Sequence, residues 1–170
     1  NVFCYGSLIY LACGQNGLQV YEHLSFAAPA TPYATYDPLG AYCFDAHLLG
    51  GYVLLAAGPD GVQVLDIDDL DGPPVASVPA AVAMNLDLQG AVGWVAADDG
   101  GLIALDITDP SSPTVISSVS TGGDCLDVDA TADGVYVADG WNGLRIYDGS
   151  DPTSITMRSM TNTGGLLARV

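Results

Sequence analysis

The chain has 170 residues, with 20 acidic side chains against 3 basic ones, a formal net charge of -17, and 49% hydrophobic residues. Such a surface repels phosphate backbones and so argues against nucleic acid as a partner, while the apolar fraction argues against a disordered tail. The apolar residues come in runs of four to six broken by glycine, well short of the roughly eighteen needed for a helical membrane span.

Asp supplies 19 of the acids, and Glu22 is the one Glu. Solubility alone does not choose between the two, but turns do, because the short Asp side chain bonds to its own backbone two residues on. Most of the acidity is therefore expected to be turn chemistry in a β-protein. The remainder suits a high-salt or calcium-rich medium. The sequence starts at Asn1 with no basic stretch ahead of an apolar one, so a signal peptide would be already removed or lie outside it; export is allowed.

In chain order, Asn1 to Tyr5 reads as the tail of a first strand, Gly6-Ser7 as a turn, and Leu8 to Cys13 as the second strand. Gln15-Asn16-Gly17 leads into Leu18 to Glu22, and a fourth strand is expected at Tyr33 to Tyr36, bulged or at an edge because of Pro29 and Pro32. Unit two has strands from Ala41 to Leu48, Tyr52 to Ala57 and Val62 to Ile67, then a long loop from Asp68 to Pro74. Unit three has Val82 to Leu88, Trp94 to Ala97, Leu102 to Ile107 and Thr114 to Ser120. Unit four alternates over Val135 to Ala138 and Leu144 to Tyr147, with turn signals at Asp133-Gly134 and Asn142-Gly143 and a fourth strand at Thr156 to Met160.

No segment keeps a helical period over twelve residues, so the chain reads as all-β. Gly17, Gly61, Gly101 and Gly143 each open a strand and stand 44, 40 and 42 residues apart. This is a repeat of about 42 residues, each unit one four-stranded blade of a β-propeller-type array. One repeat domain over 1–170 is expected, with blades near 1–40, 41–81, 82–123 and 124–170. Asn1-Val2, Asp127-Val128 and Arg169-Val170 share one phase of the repeat. A strand split in this way is expected to complete a blade within the chain or between chains, since bare sheet edges are avoided.

Val135-Tyr136-Val137-Ala138-Asp139-Gly140, then Gly143-Leu144-Arg145-Ile146-Tyr147-Asp148, then Ser150-Asp151-Pro152 resembles the LVIVD repeat of secreted and cell-surface β-propeller proteins. Trp94 to Asp98, Gly101 to Asp106 and Thr108 to Pro113 resemble it nearly as well, whereas units one and two depart from it at Glu22-His23 and in the Asp68 to Pro74 loop. The resemblance implies an extracellular or cell-surface scaffold and brings no catalytic residues.

On the inner strands Asp45 with His47, Asn85 with Asp87, and Asp127 with Asp129 lie two residues apart and so on one strand face. Convergent oxygens are what Ca²⁺ takes as ligands, so Asp45, Asp87, Asp127 and Asp129 form a candidate metal set, against the plainer reading of a solvated acidic channel or of bonds between blades. Asp66 to Gly72 lacks the glycine position and closing acid of an EF-hand and reads as a surface loop. Cys43 and Cys125 hold equivalent places and read as small buried side chains, with a disulfide the less favoured alternative. Trp94 is expected in the core. Trp141 with Asn142 is expected exposed in a turn where a protein or glycan could be gripped, and Asn1, Val2, Arg169 and Val170 are the candidate joining residues.

His23 and His47 are the only histidines, no Gly-x-Ser-x-Gly elbow occurs, and no Asn-x-Ser/Thr acceptor exists for N-glycosylation. The residues point to a self-associating scaffold, a ring or filament of copies. The alternative is a closed cell-surface binding module, and a calcium-dependent propeller hydrolase is the least supported.

Overall fold

The structure, a computed structural model, describes residues 1–22, 32–36 and 42–170. His23, Pro29, Asp37-Pro38 and Ala41 lie outside them. Four sheets follow one another along the chain, each with its strands in sequence order and antiparallel. The first holds β1 (Val2–Tyr5), β2 (Leu8–Ala12), β3 (Leu18–Glu22) and β4 (Ala34–Tyr36). The second holds β5 (Asp45–Leu49), β6 (Tyr52–Ala56), β7 (Val62–Asp66) and β8 (Ala76–Val78), the last a strand for which the sequence carries little alternation. The third holds β9 (Asn85–Gln89), β10 (Val92–Ala96), β11 (Leu102–Asp106) and β12 (Thr114–Val119), and the fourth β13 (Asp127–Thr131), β14 (Gly134–Ala138), β15 (Leu144–Asp148) and β16 (Thr156–Thr161). No helix is present among the described residues, and the sheets do not close within the chain.

Strand alternation gives every blade two apolar faces, and the faces of neighbours lock together. Between blades one and two, Tyr10, Leu18, Val20 and Tyr36 meet Cys43, Ala46, Val53, Leu55 and Leu65. Between two and three, Leu54, Ala56, Val62 and Val64 meet Leu86, Val95, Ile103 and Leu105. Between three and four, Trp94, Ala96, Leu102 and Ala104 meet Cys125, Val128, Val135, Val137 and Tyr147. Trp94 is fully buried, as its place in a strand implies. All four cysteines are free, and burial pushes the Cys43 and Cys125 thiols up to about 12.

Two kinds of turn make the repeat. Asp66, Asp106 and Asp148 each end a third strand and accept a bond from the backbone N–H two residues on, at 2.9, 2.9 and 3.0 Å; the excess of Asp is turn chemistry at these places. The glycine that opens the third strand stands at positive φ, and a Cβ there would sit 2.3 Å from a carbonyl oxygen of the fourth strand at Gly61, Gly101 and Gly143 alike. Only glycine fits this close approach. Gly101→Ala should therefore cost about 2–3 kcal/mol in denaturant unfolding, while Gly90→Ala, at positive φ but in open space, should cost about 1 kcal/mol.

Candidate functional site at the inner strands and the end faces

The inner strands β1, β5, β9 and β13 pack on one another in chain order, and hydrogen bonds from side chain to backbone tie them. Asp45 and Asn85, the first residues of β5 and β9, point at the next blade, and Asp127, the first of β13, points at Val170. Asp45 Oδ2 accepts the N–H of Leu86 at 3.2 Å and the side-chain amide of Asn85 at 2.9 Å. Asn85 Oδ1 accepts the N–H of Val128 at 3.2 Å. Asp127 Oδ2 accepts the N–H of Val170 at 2.8 Å. Two positions along, Asp87 Oδ2 accepts the N–H of Ala130 at 2.7 Å and its Oδ1 that of Leu88 at 2.8 Å. Asp129, at the same position one blade later, is exposed.

The calcium candidates Asp45 and Asp87 thus direct oxygens at N–H donors of the next blade, and Asp127 directs one at the Val170 N–H. Among the described residues no three His, Cys, Asp or Glu side chains gather at metal-holding spacing. Asp45 is 1% exposed and is bonded from both sides, by the Asn1 side-chain amide of blade one and by Asn85 and Leu86 of blade three. His47 Nε2 lies 3.3 Å from it. Burial pushes the Asp45 carboxyl up, but the His47, Asn1 and Leu86 donors outweigh it and the net shift is down. Burial pulls His47 down, and the Asp45 carboxylate outweighs that, with Asp87 adding, so its net shift is up. Asp127 is raised, chiefly by burial, with the Val170 N–H and Arg169 opposing.

The outer parts of the end blades present the other half of the site. Tyr136, Leu144 and Ile146 occupy in blade four the positions of Trp94, Leu102 and Ala104 in blade three, as the paired registers show. The blade-three residues are fully buried, whereas those of blade four are half-buried. At the other end Val2, Cys4, Ile9, Leu11 and Tyr21 hold the positions of Val128, Ala130, Val135, Val137 and Tyr147. Val2 and Cys4 are exposed, and the other three are half-buried. Of these residues only Val2 was singled out from sequence, although aligning the repeats position by position carries the signal for the rest.

The remaining candidates fall in different places. Trp141 is 69% exposed in the turn before β15. Asn142 spends its amide on holding that turn, bonding Gly122 O at 3.0 Å and Asp139 Oδ2 at 3.2 Å. Asn1 meets Asp45, and Arg169 with Val170 meets Asp127, Arg169 Nη1 lying 3.6 Å from Oδ1. A pair that sequence reasoning missed is the fully buried Asp139 with Arg145, Nε to Oδ2 2.5 Å, which anchors the same turn.

Asp45→Ala would leave Asn1, Asn85, the Leu86 N–H and His47 without their acceptor, and should cost about 3 kcal/mol in equilibrium unfolding; Asp129→Ala should change stability by less than about 0.5 kcal/mol. The stabilisation from Asp45, whose pKa is lowered, is present above the ordinary carboxyl range and is lost as pH falls through the depressed value. That from His47, whose pKa is raised, is present below the ordinary imidazole range and is lost as pH rises through the elevated value. Thermal melts should therefore peak between about pH 4 and 6.5, and in His47→Ala the decline on the alkaline side should flatten.

Comparison with known proteins agrees with this architecture. The family model of the LVIVD repeat matches twice in tandem, at residues 80–121 and 122–163. No curated protein matches the sequence. Among solved structures, the computationally designed Ika8 protein superimposes with a TM-score of 0.75 at 9% identity, over 99% of this chain and 50% of that one. A chain of the Mitotic Checkpoint Complex gives 0.77 at 9% identity, over 98% and 53%. The computationally designed Ika4 protein gives 0.64 at 10% identity, over 94% and 89%. This chain thus spans about half the length of the first two. At such identities the likeness is one of fold, and it is to propeller-like arrays of blades. With its four-stranded sheets stacked face to face, the chain carries two tandem LVIVD repeats, at residues 80–121 and 122–163.

Proposed function

We propose that this chain is an extracellular or cell-surface scaffold without enzymatic activity, whose copies join head to tail. The blade-four face of one copy takes the blade-one face of the next. The observation that carries this is that the two end faces are the two halves of an interface built three times inside the chain. Tyr136, Leu144 and Ile146 supply one half, with Asp127 and Asp129 as acceptors beside them; Val2, Ile9, Leu11 and Tyr21 supply the other. Half-buried apolar faces of this kind are unusual on a lone body and favour a partner of the same shape.

The contact is heterologous, so copies close into a ring if the rotation per copy permits and otherwise run on as a filament. The better superposition on half of two longer chains than on nearly the whole of the designed Ika4 protein supports an arc with room for further blades. A formal charge of -17 on each copy opposes the contact at low ionic strength.

Sedimentation velocity should give a mass that rises with protein concentration, and more steeply in about 1 M salt, where the Debye length is about 3 Å. Leu144→Asp should weaken association at least about tenfold, because it places a carboxylate where the contact would bury a leucine. A mass of one 17.4 kDa chain at every concentration and salt would sink this reading and turn attention to the loops around Trp141.

A further inference from the structure

We infer that Asn16 is a site of spontaneous covalent modification, converted in water to aspartate and isoaspartate through its Gly17 neighbour, while its repeat counterpart Asn142 is shielded by an acceptor inside its own turn. The inference is independent of the head-to-tail contact. Asn-Gly occurs twice, at 16–17 and at 142–143, in one phase of the repeat. Asparagine is thermolabile, and a following glycine leaves the attacking nitrogen unhindered by a Cβ. The Gly17 nitrogen attacks Asn16 Cγ; the N–Cγ bond forms, the Cγ–Nδ2 bond breaks, and Nδ2 leaves as ammonia with the Gly17 proton. Water then opens the cyclic imide. Opening at the side-chain carbonyl gives aspartate, and opening at the main-chain carbonyl gives isoaspartate, whose main chain runs through Cβ and Cγ.

The two turns share one backbone. Cys13 and Asp139 donate their N–H to Gly17 O and Gly143 O, both at 2.9 Å, and the Gly17 and Gly143 nitrogens are held to Gly14 O and Gly140 O at 3.1 and 3.3 Å. Both asparagines are exposed. They differ in the side chain three places earlier. Asn142 Nδ2 donates to Asp139 Oδ2 at 3.2 Å and to Gly122 O at 3.0 Å, and Asp139 is itself fully buried and fixed by Arg145. In blade one Cys13 takes the place of Asp139, and Gln19, which accepts the Tyr21 hydroxyl at 2.8 Å, takes that of Arg145. Asn16 Nδ2 donates no hydrogen bond among the described residues. In either turn the attacking nitrogen must first drop its own bond, but Asn142 must also give up one to a charged acceptor. The position has a consequence for the fold. Gly14, in the same turn as Asn16, exchanges backbone bonds with Cys43 at 2.8 and 2.9 Å and so ties blade one to blade two. Isoaspartate at 16 lengthens the main chain inside that turn, and either product adds a negative charge to it.

The experiment incubates the full chain at mildly alkaline pH, dilute and at low salt so that copies stay apart, and follows both sites by peptide mapping in heavy-oxygen water. Asn16 should convert at least about tenfold faster than Asn142 in the folded chain, and the two should convert at similar rates in urea. Cys13→Asp, which rebuilds in blade one the acceptor of blade four, should slow Asn16 several-fold and leave Asn142 unchanged. In the converted protein, hydrogen exchange should show the Gly14 and Cys43 amides losing protection while those of Asp98 and Cys125, paired in the same way between blades three and four, keep theirs. Equal rates in the folded chain, or faster conversion at Asn142, overturn the inference. A tenfold difference that persists in urea, or an unchanged Asn16 rate in folded Cys13→Asp, removes the shielding assigned to Asp139 and overturns it as well.

Discussion

Blades two, three and four are tied by one recurrent interaction, a forward-pointing oxygen on the inner strand accepting a backbone N–H of the following inner strand. An inner strand has an open edge toward the axis, and edge groups left bare are both costly and prone to pair with other chains. Asp45, Asn85 and Asp127 answer that constraint with side chains, at N–H to O distances of 3.2, 3.2 and 2.8 Å. Because Leu86, Val128 and Val170 donate through the main chain, these bonds make no demand on the side chain of the residue that donates. The apolar residues of the second strands are then free to differ from blade to blade, as Tyr10, Leu54, Trp94 and Tyr136 do at one position.

Stacking of this kind makes the molecule nearly one-dimensional, each blade meeting only its neighbours. Asp45, in blade two, concentrates that pattern on one residue, taking donors from both neighbouring blades, one and three, at once. Its burial with His47 couples three of the four sheets to one carboxylate. The acidity also divides into two parts. Asp66, Asp106 and Asp148 act within turns, while Asp45 and Asp87 act between blades and Asp127 holds the segment after blade four's last strand. The same residue type serves both because its oxygens reach backbone N–H groups close to the Cβ.

Much of the fold was legible in the glycines and the alternation. The strand after Gly61, Gly101 or Gly143 starts where the sequence places it because no other residue tolerates the close carbonyl, and Trp94 is buried as a strand position should be. β8 was not legible, since three residues beside a proline-rich loop carry too little pattern. The left-handed turn position filled by Gly14, Gly58 and Gly140 is filled in blade three by Asp98, at φ 51°; Asp tolerates that backbone through its own local hydrogen bonding, so a scan for glycine passes over it. At the site, the pairing of Asp45 with His47, of Asn85 with Asp87 and of Asp127 with Asp129 followed from period two, but the partners of those oxygens did not. Backbone donors carry no sequence signature. The buried Asp139–Arg145 pair was hidden for another reason, since the equivalent residues Cys13, Ala57 and Ala97 are uncharged and the repeat gives no warning of it.

The generic joint leaves open what keeps the blades in their order, and the junction of blades three and four answers it by shape. The Trp94 ring fills the space beside Gly149, where even a Cβ would come within 2.8 Å of the indole and 2.7 Å of Val135. Gly149 stands where blade three has Ile107 and blade two Ile67. A tryptophan on one face and a missing side chain on the other form a key and its slot. Shifting the stack by one whole blade would set the indole against an isoleucine, so a repeat whose backbone donors are alike from joint to joint is held in frame here by volume.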